Sequence, residues 1–321
     1  MQVIGADDVH RLLDFPSLID ALRAMFQDGC EVPARHHHRV ALDHRVAPAA
    51  ADDAEGTLLI MPAWQPGRSL GIKIVTVFPG NARRALPSVH GTYLLLDAAT
   101  GMPVALLDGT ALTLRRTAAA SALAAGFLAR PDSTVHLMVG TGALAPHLVA
   151  AHRAVRPIRQ TRIWGRDPQK AAALAARLTK AGIAAVPAGD LEEAVAMADI
   201  LTCATLAQEP LIRGAWLRPG THLDLVGGFT PDMREADDDA VSRARIYVDT
   251  DAALREAGDL VQPLRSGHLA RERIVGDLFD LSRGICPGRR DAAQITLFKS
   301  VGTALEDLAA AQLAVSRAGA Q

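Results

Sequence analysis

"VHLMVGTGALAPHLVAAH", residues 135–152, decides the fold. A short apolar run stops at Gly140-Thr141-Gly142, and apolar residues then recur at helical spacing. The stretch reads as a strand, a tight turn and a helix. Gly140, Gly142 and Ala145 stand in G-x-G-x-x-A spacing, in the strand-to-helix context that gives this motif its meaning. The first glycine allows the turn, the second lets backbone approach a pyrophosphate, and the small third residue lets helix and strand pack closely. The pyrophosphate would rest on the helix N-terminus. Thr141, Ala143 and Leu144 complete the loop and are expected at the same cofactor. The competing reading is a tight structural turn.

Working outward, the same alternation continues. "QTRIWGR", "AAVPA", "ILTCAT", "THLDLVGG" and "RIYVDT" read as strands, with "DPQKAAALAARLTKAG" and "DLEEAVAMAD" as helices between them. Buried-looking strands alternating with helices predict βαβ units and a parallel sheet. Before residue 118 the pattern differs. A short strand and one helix through Asp28 precede "HHHRVALD", "GTLLIMPAW", "SLGIKIVTVFPGN" and the hairpin "GTYLLLDAATGMPVALLDG". These strand-like runs predict a mostly antiparallel sheet with a helix against it. A long C-terminal helix closes the chain. The fold class is therefore α/β: a Rossmann dinucleotide-binding domain plus a smaller α+β domain.

The end of the second Rossmann strand separates NAD from NADP. Here it reads Gly165-Arg166-Asp167, with Lys170 one turn on. Arg166 and Lys170 suit a ribose 2′-phosphate as charge-assisted donors, so NADPH is preferred, with NADH possible. Asp167 could instead cap the next helix ahead of Pro168, or accept from a ribose hydroxyl.

Composition bounds the rest. The 321 residues are 49% hydrophobic and 21% charged, with net charge −1, which fits two cored domains and gives no footprint for nucleic acid. Cys30, Cys203 and Cys286 are widely spaced and odd in number, so neither a disulfide framework nor a CxxC metal site is expected. No window reaches about 18 uncharged apolar residues, so no membrane span is expected. The N-terminus lacks signal-peptide character. A cytoplasmic protein is the expectation. His36, His37 and His38 alternate faces along a strand and cannot easily converge on one ion, so no metal is expected. No nucleophile elbow is visible.

Several motifs, taken in order, resemble one family. They are "MPAW", "GIKIVTVFPGN", "LTLRRTAAASALAAGFLA", the glycine loop, "IWGR", "VGGFTPDMREAD" and "ITLFKSVGTALEDLAAA". Together they are similar to the ornithine cyclodeaminase and mu-crystallin family. The resemblance implies a first domain, residues 1–117 with 293–321, that binds substrate and forms a homodimer through its sheet. It implies a Rossmann domain over 118–292 and an active site in the cleft between them. Arg35 and Arg116 would correspond to arginines that hold a substrate carboxylate, and Lys73 to the pocket lysine; Lys73 and Arg116 would carry the catalytic role. Asn81 and Thr117 match positions near the pocket or cofactor, with turn chemistry and helix packing as their ordinary readings.

The residues themselves lean the same way. Lys73 sits among Ile72, Ile74 and Val75, where a buried ammonium needs a polar partner. Arg115-Arg116 near a helix start opposes the dipole unless an anion lies nearby. The family's lyase members read Gly-Gly-Asp followed by Cys-Pro-Gly-Lys-Thr-Glu at the next strand end. This chain reads Gly227-Gly228-Phe229, so the acid is replaced by an apolar ring, and "PDMRE" is similar to the reductase and crystallin branch. The implied activity is reduction of a cyclic 2-imino acid to L-proline or L-pipecolate, with Phe229 against the ring carbons and Gly227 near the cofactor. Ornithine cyclodeaminase, alanine dehydrogenase and a binding-only crystallin are the rivals.

Overall fold

The computed structural model describes residues 1–41, 55–84 and 86–319. The chain divides into two compact units, Met1–Arg116 with Thr303–Gln321, and Thr117–Gly302.

The first unit is built on a six-stranded sheet. Its strands are β1 (Gln2–Ile4), β2 (His36–Ala41), β3 (Glu55–Gln65), β4 (Ser69–Val77), β5 (Val89–Asp97) and β6 (Pro103–Asp108), in the order β1-β6-β5-β4-β3-β2. β1 runs parallel to β6 and the other pairs are antiparallel. Alternation puts Met61, Ala63, Tyr93, Leu95, Ala105 and Leu107 on the buried face. The N-terminal segment forms two helices, α1 (Ala6–Leu12) and α2 (Phe15–Asp28), where the sequence suggests one. Asp14 causes the break: its carboxylate accepts from the Ser17 amide at 3.0 Å and Pro16 follows, so a new helix starts there. Phe15, Leu18, Ile19, Leu22, Met25 and Phe26 form one buried stripe on α2, each side chain contributing about 1.5–3 kcal/mol. The C-terminal helix (Ala304–Ala318) packs on α2, β3 and β4.

Helix α3 (Gly109–Leu128) leads from the first unit into the second. The second unit holds β7 (Val135–Val139), α4 (Ala145–Val155), β8 (Gln160–Trp164), α5 (Pro168–Lys180), β9 (Ala185–Pro187), α6 (Leu191–Met197), β10 (Ile200–Cys203) and β11 (His222–Leu225). It continues with α7 (Asp238–Arg243), β12 (Arg245–Val248), α8 (Ala253–Glu256), α9 (Gly258–Ser266), β13 (Ile274–Asp277), α10 (Leu278–Ser282) and β14 (Thr296–Lys299). The helix over Ala304–Ala318 is then α11.

All eight strands of this sheet pair in parallel, in the order β13-β12-β14-β11-β10-β7-β8-β9. After β7 the chain moves outward through β8 and β9, then returns to place β10 on the other side of β7. That reversal is a topological switch point, and its crevice lies at the carboxyl ends of β7 and β10. The sheet corrects one sequence expectation. Residues 293–302, assigned to the first domain, supply β14, because the buried run Thr296–Lys299 pairs between β11 and β12.

Candidate active site

The nucleotide cradle forms where β7 ends. Gly140 has φ +121°, and a Cβ there would lie 2.5 Å from the Ala204 carbonyl oxygen after β10. Only glycine lets the two strand ends approach so closely at the switch point. A Cβ on Gly142 would meet nothing within 4 Å, so that position is open. Beside it lies a cavity of about 700 Å³, inside the range of ligand sites. Gly140, Thr141, Gly142, Arg166, Asp167 and Lys170, all anticipated from sequence, line it. Its remaining wall is Trp164 and Gly165, at the end of β8, and Ala204–Glu209 with Leu211, which sequence reading missed because they follow β10 and carry no motif. A backbone cradle left open at Gly142, ahead of the eleven-residue helix α4, fits a dinucleotide pyrophosphate.

Asp167 caps α5, accepting from the amides of Gln169 at 2.9 Å and Lys170 at 3.3 Å. Its carboxylate is thereby committed to the helix start, and Arg166 and Lys170 remain as the exposed cations of this wall. Ala143 and Leu144 lead into α4 outside the lining residues. Gly227 also lies outside them, with its amide given to Glu235 at 2.8 Å. Thr117 is half-buried on α3. Asn81 fills its ordinary turn role, donating from Nδ2 to the Pro87 carbonyl at 3.0 Å. Phe229, in the loop after β11, is 47% exposed.

The first unit brings together two of the three predicted anion ligands. Lys73 is central in β4, opposite Met61 of β3 and Tyr93 of β5, and only 2% exposed. Its Nζ lies 2.7 Å from Asp307 Oδ2. Arg116 is 6% exposed and donates from Nε to Asp307 Oδ1 at 2.9 Å and from Nη1 to Glu306 Oε2 at 2.6 Å. Both acids lie in the first turn of α11, where carboxylates are favoured by the helix dipole. The anion suspected beside the arginine pair is thus the protein's own. Arg115 is structural: it stacks on Phe15 at 3.7 Å and donates from Nε to the Leu13 carbonyl at 2.8 Å. Arg35 is half-buried just ahead of β2.

Burial, then the Arg116 charge, push Lys73 down to about 8, against the pull of Asp307 and Glu306. Burial would lower Arg116 as well, but Asp307 and Glu306 outweigh it and raise the guanidinium. Burial would raise Asp307, yet the Arg116 and Lys73 charges hold it below the usual carboxylate range. Lys73 and Arg116 therefore form, with Asp307 and Glu306, one buried cluster of two cations and two acids. Sequence reading missed Glu306 and Asp307, although an adjacent acid pair inside the apolar run "ALEDLAAA" was the available signal.

The model of the ornithine cyclodeaminase/mu-crystallin family matches residues 6–321. The chain belongs to this family. Within the ornithine cyclodeaminase/mu-crystallin group, it is 45% identical over 257 residues to a Δ1-pyrroline-2-carboxylate reductase of Paracoccus denitrificans, covering 79% of this chain and 81% of that one. It is 35% identical over 316 residues to the ketimine reductase mu-crystallin of Rattus norvegicus, covering 97% and 95%. The structure of Thermococcus litoralis Δ1-pyrroline-2-carboxylate reductase, in complex with NADH and L-proline, superposes with a TM-score of 0.90 at 33% identity, covering 100% of this chain and 98% of that one. Among the described residues, no helix is long and apolar enough to cross a membrane.

Proposed function

We propose that this chain is an oxidoreductase that reduces cyclic 2-imino acids at C2. Δ1-pyrroline-2-carboxylate and Δ1-piperideine-2-carboxylate are the substrate class, and L-proline and L-pipecolate the products. The observation that carries this reading is the Lys73–Arg116 pair, one cation on β4 and one on α3, both buried in the first unit and sharing the Asp307 carboxylate. Such a pair has the charge and donor geometry to anchor a small carboxylic acid.

The residues divide the work. Arg116, with Arg35 as its expected companion, holds the substrate carboxylate and so fixes which face of C2 is presented. Lys73 keeps a proton at Nζ next to that carboxylate and steadies the charge of the imine. Phe229 provides apolar surface for the ring carbons, and the missing acid after Gly227-Gly228 leaves no base to take a second amine. A reduced nicotinamide, when bound, supplies the hydride. The glycine loop from Gly140 to Gly142 would hold its pyrophosphate and Arg166 with Lys170 a 2′-phosphate. This reading prefers NADPH and accepts NADH. Relatives that carry the names Δ1-pyrroline-2-carboxylate reductase and ketimine reductase support the chemistry.

The protein acts as a homodimer in this reading. Ile74 of β4, 40% exposed on the face opposite Lys73, supplies apolar surface for a second copy. Imine-dependent loss of nicotinamide absorbance tests the activity. Arg166→Glu tests the cofactor wall: kcat/KM for NADPH should fall about tenfold or more, the scale of one lost charge-assisted contact. With NADH the change should stay within about threefold. Equal losses with both cofactors would remove Arg166 from the 2′-phosphate site.

A further inference from the structure

The strand end "VGG" rests on buried charge that the proposed chemistry does not use. A Cβ on Gly227 would lie 2.2 Å from Glu235 Oε1, and one on Gly228 2.6 Å from Asp259 Oδ2. Glycine stands at both positions because carboxylates fill the space behind them. Glu235 is fully buried. Its Oε1 accepts from the Thr205 amide at 2.7 Å and the Thr205 hydroxyl at 2.8 Å, and its Oε2 from the Gly227 amide at 2.8 Å.

Those donors sit on different segments. Thr205 follows β10 and lines the nucleotide cavity; Gly227 follows β11. One carboxylate therefore stitches together two adjacent strand ends beside the switch point. Glu235 is held in turn. Asp259 of α9 accepts at Oδ1 from the Glu235 amide at 2.7 Å and the Ala236 amide at 3.1 Å. Lys299, at the end of β14, places Nζ 3.3 Å from Asp259 Oδ2. Asp259 and Lys299 are also fully buried. Two buried acids so close together need a compensating cation, and Lys299 is it.

We propose that Glu235 is a positioning residue of the dinucleotide site. It fixes the Thr205 and Gly227 backbones before cofactor arrives, so the cavity wall is preformed, and Asp259 with Lys299 keeps Glu235 in place. The proposal rests on reading the cavity as a dinucleotide site, but not on which imine is reduced. An ordered wall binds more tightly because the cofactor need not order it.

The test is a fluorescence titration of NADH and NADPH against wild type, Glu235→Gln and Asp259→Asn. In Glu235→Gln the amide nitrogen turns a donor toward an existing donor, so at least one of the three bonds is lost. The dissociation constant of both dinucleotides should rise about tenfold. Asp259→Asn, acting one step removed, should raise it about threefold. A purely structural role would lower the melting temperature and leave the affinity of the folded protein unchanged. Folded Glu235→Gln with affinities within twofold of wild type overturns the proposal. Wild type that binds neither dinucleotide overturns the reading of the cavity instead. Amide hydrogen exchange on cofactor-free wild type gives a second check that needs no variant. The Thr205 and Gly227 amides should be protected together, and exchange of both at unprotected rates would equally overturn the clamp.

Discussion

Replacing Asp307 with asparagine is expected to cost about 3–5 kcal/mol of stability, the range for removing one partner of a buried ion pair. The side chain keeps its volume and loses its charge. Lys73 and Arg116, both at least nine-tenths buried, would then face each other with Glu306 as their remaining acid. Asp307 is held below the usual carboxylate range, so its contribution is fully present above about pH 4 and is lost as pH falls through its folded value. The difference between wild type and Asp307→Asn should therefore shrink in acid. Urea unfolding at pH 7.5 and at pH 3.5 measures it. A loss below about 1 kcal/mol at neutral pH would mean that the cluster is solvated in a way its burial denies.

Lys73→Met should be the most damaging substitution for activity. In the proposed function it removes the donor that steadies the substrate carboxylate, and loss of one such preorganised group costs about 10²–10³-fold in rate. The pH profile gives an independent mark. With Lys73 near 8, wild-type kcat/KM should fall as pH rises through that value, because neutral lysine no longer offsets a carboxylate. Stability should move the other way. Between about 8 and the ordinary lysine value, the unfolded chain binds a proton that the folded chain does not, so stability rises with pH across that window. Falling activity with rising stability over the same range is a signature that general alkaline unfolding cannot produce. In Lys73→Met the alkaline arm should disappear. Its persistence would assign the titration to another group.

Much of the architecture is readable from local pattern. The central strands β10, β11 and β14 of the second unit are short and buried on both faces, and the glycine loop sits where a strand meets a helix. Gly140, Thr141, Gly142, Arg166, Asp167 and Lys170 accordingly lie together around one cavity. Legibility fails where partners are distant in the chain. Arg116 and its acids are 190 and 191 positions apart, so nothing local announces that the arginine is already paired. The run "TLFK" reads as a strand, but only the assembled sheet shows that it slots between β11 and β12. β13, α8 and α10 are four or five residues long, too short for periodicity to register.

The glycine pair shows the same limit. The sequence reveals that the acid of the lyase pattern is absent after Gly228. It does not reveal that Glu235 and Asp259 return from further along the chain to sit directly behind the glycines. The charge at this strand end lies on its buried side.

The decisive assay mixes purified protein with NADPH or NADH and Δ1-pyrroline-2-carboxylate, follows the nicotinamide absorbance band and quantifies L-proline at the end point. The predicted result is imine-dependent oxidation of the nucleotide with one L-proline formed per nucleotide consumed. Tight nucleotide binding without turnover of this imine or its six-membered homologue would contradict it.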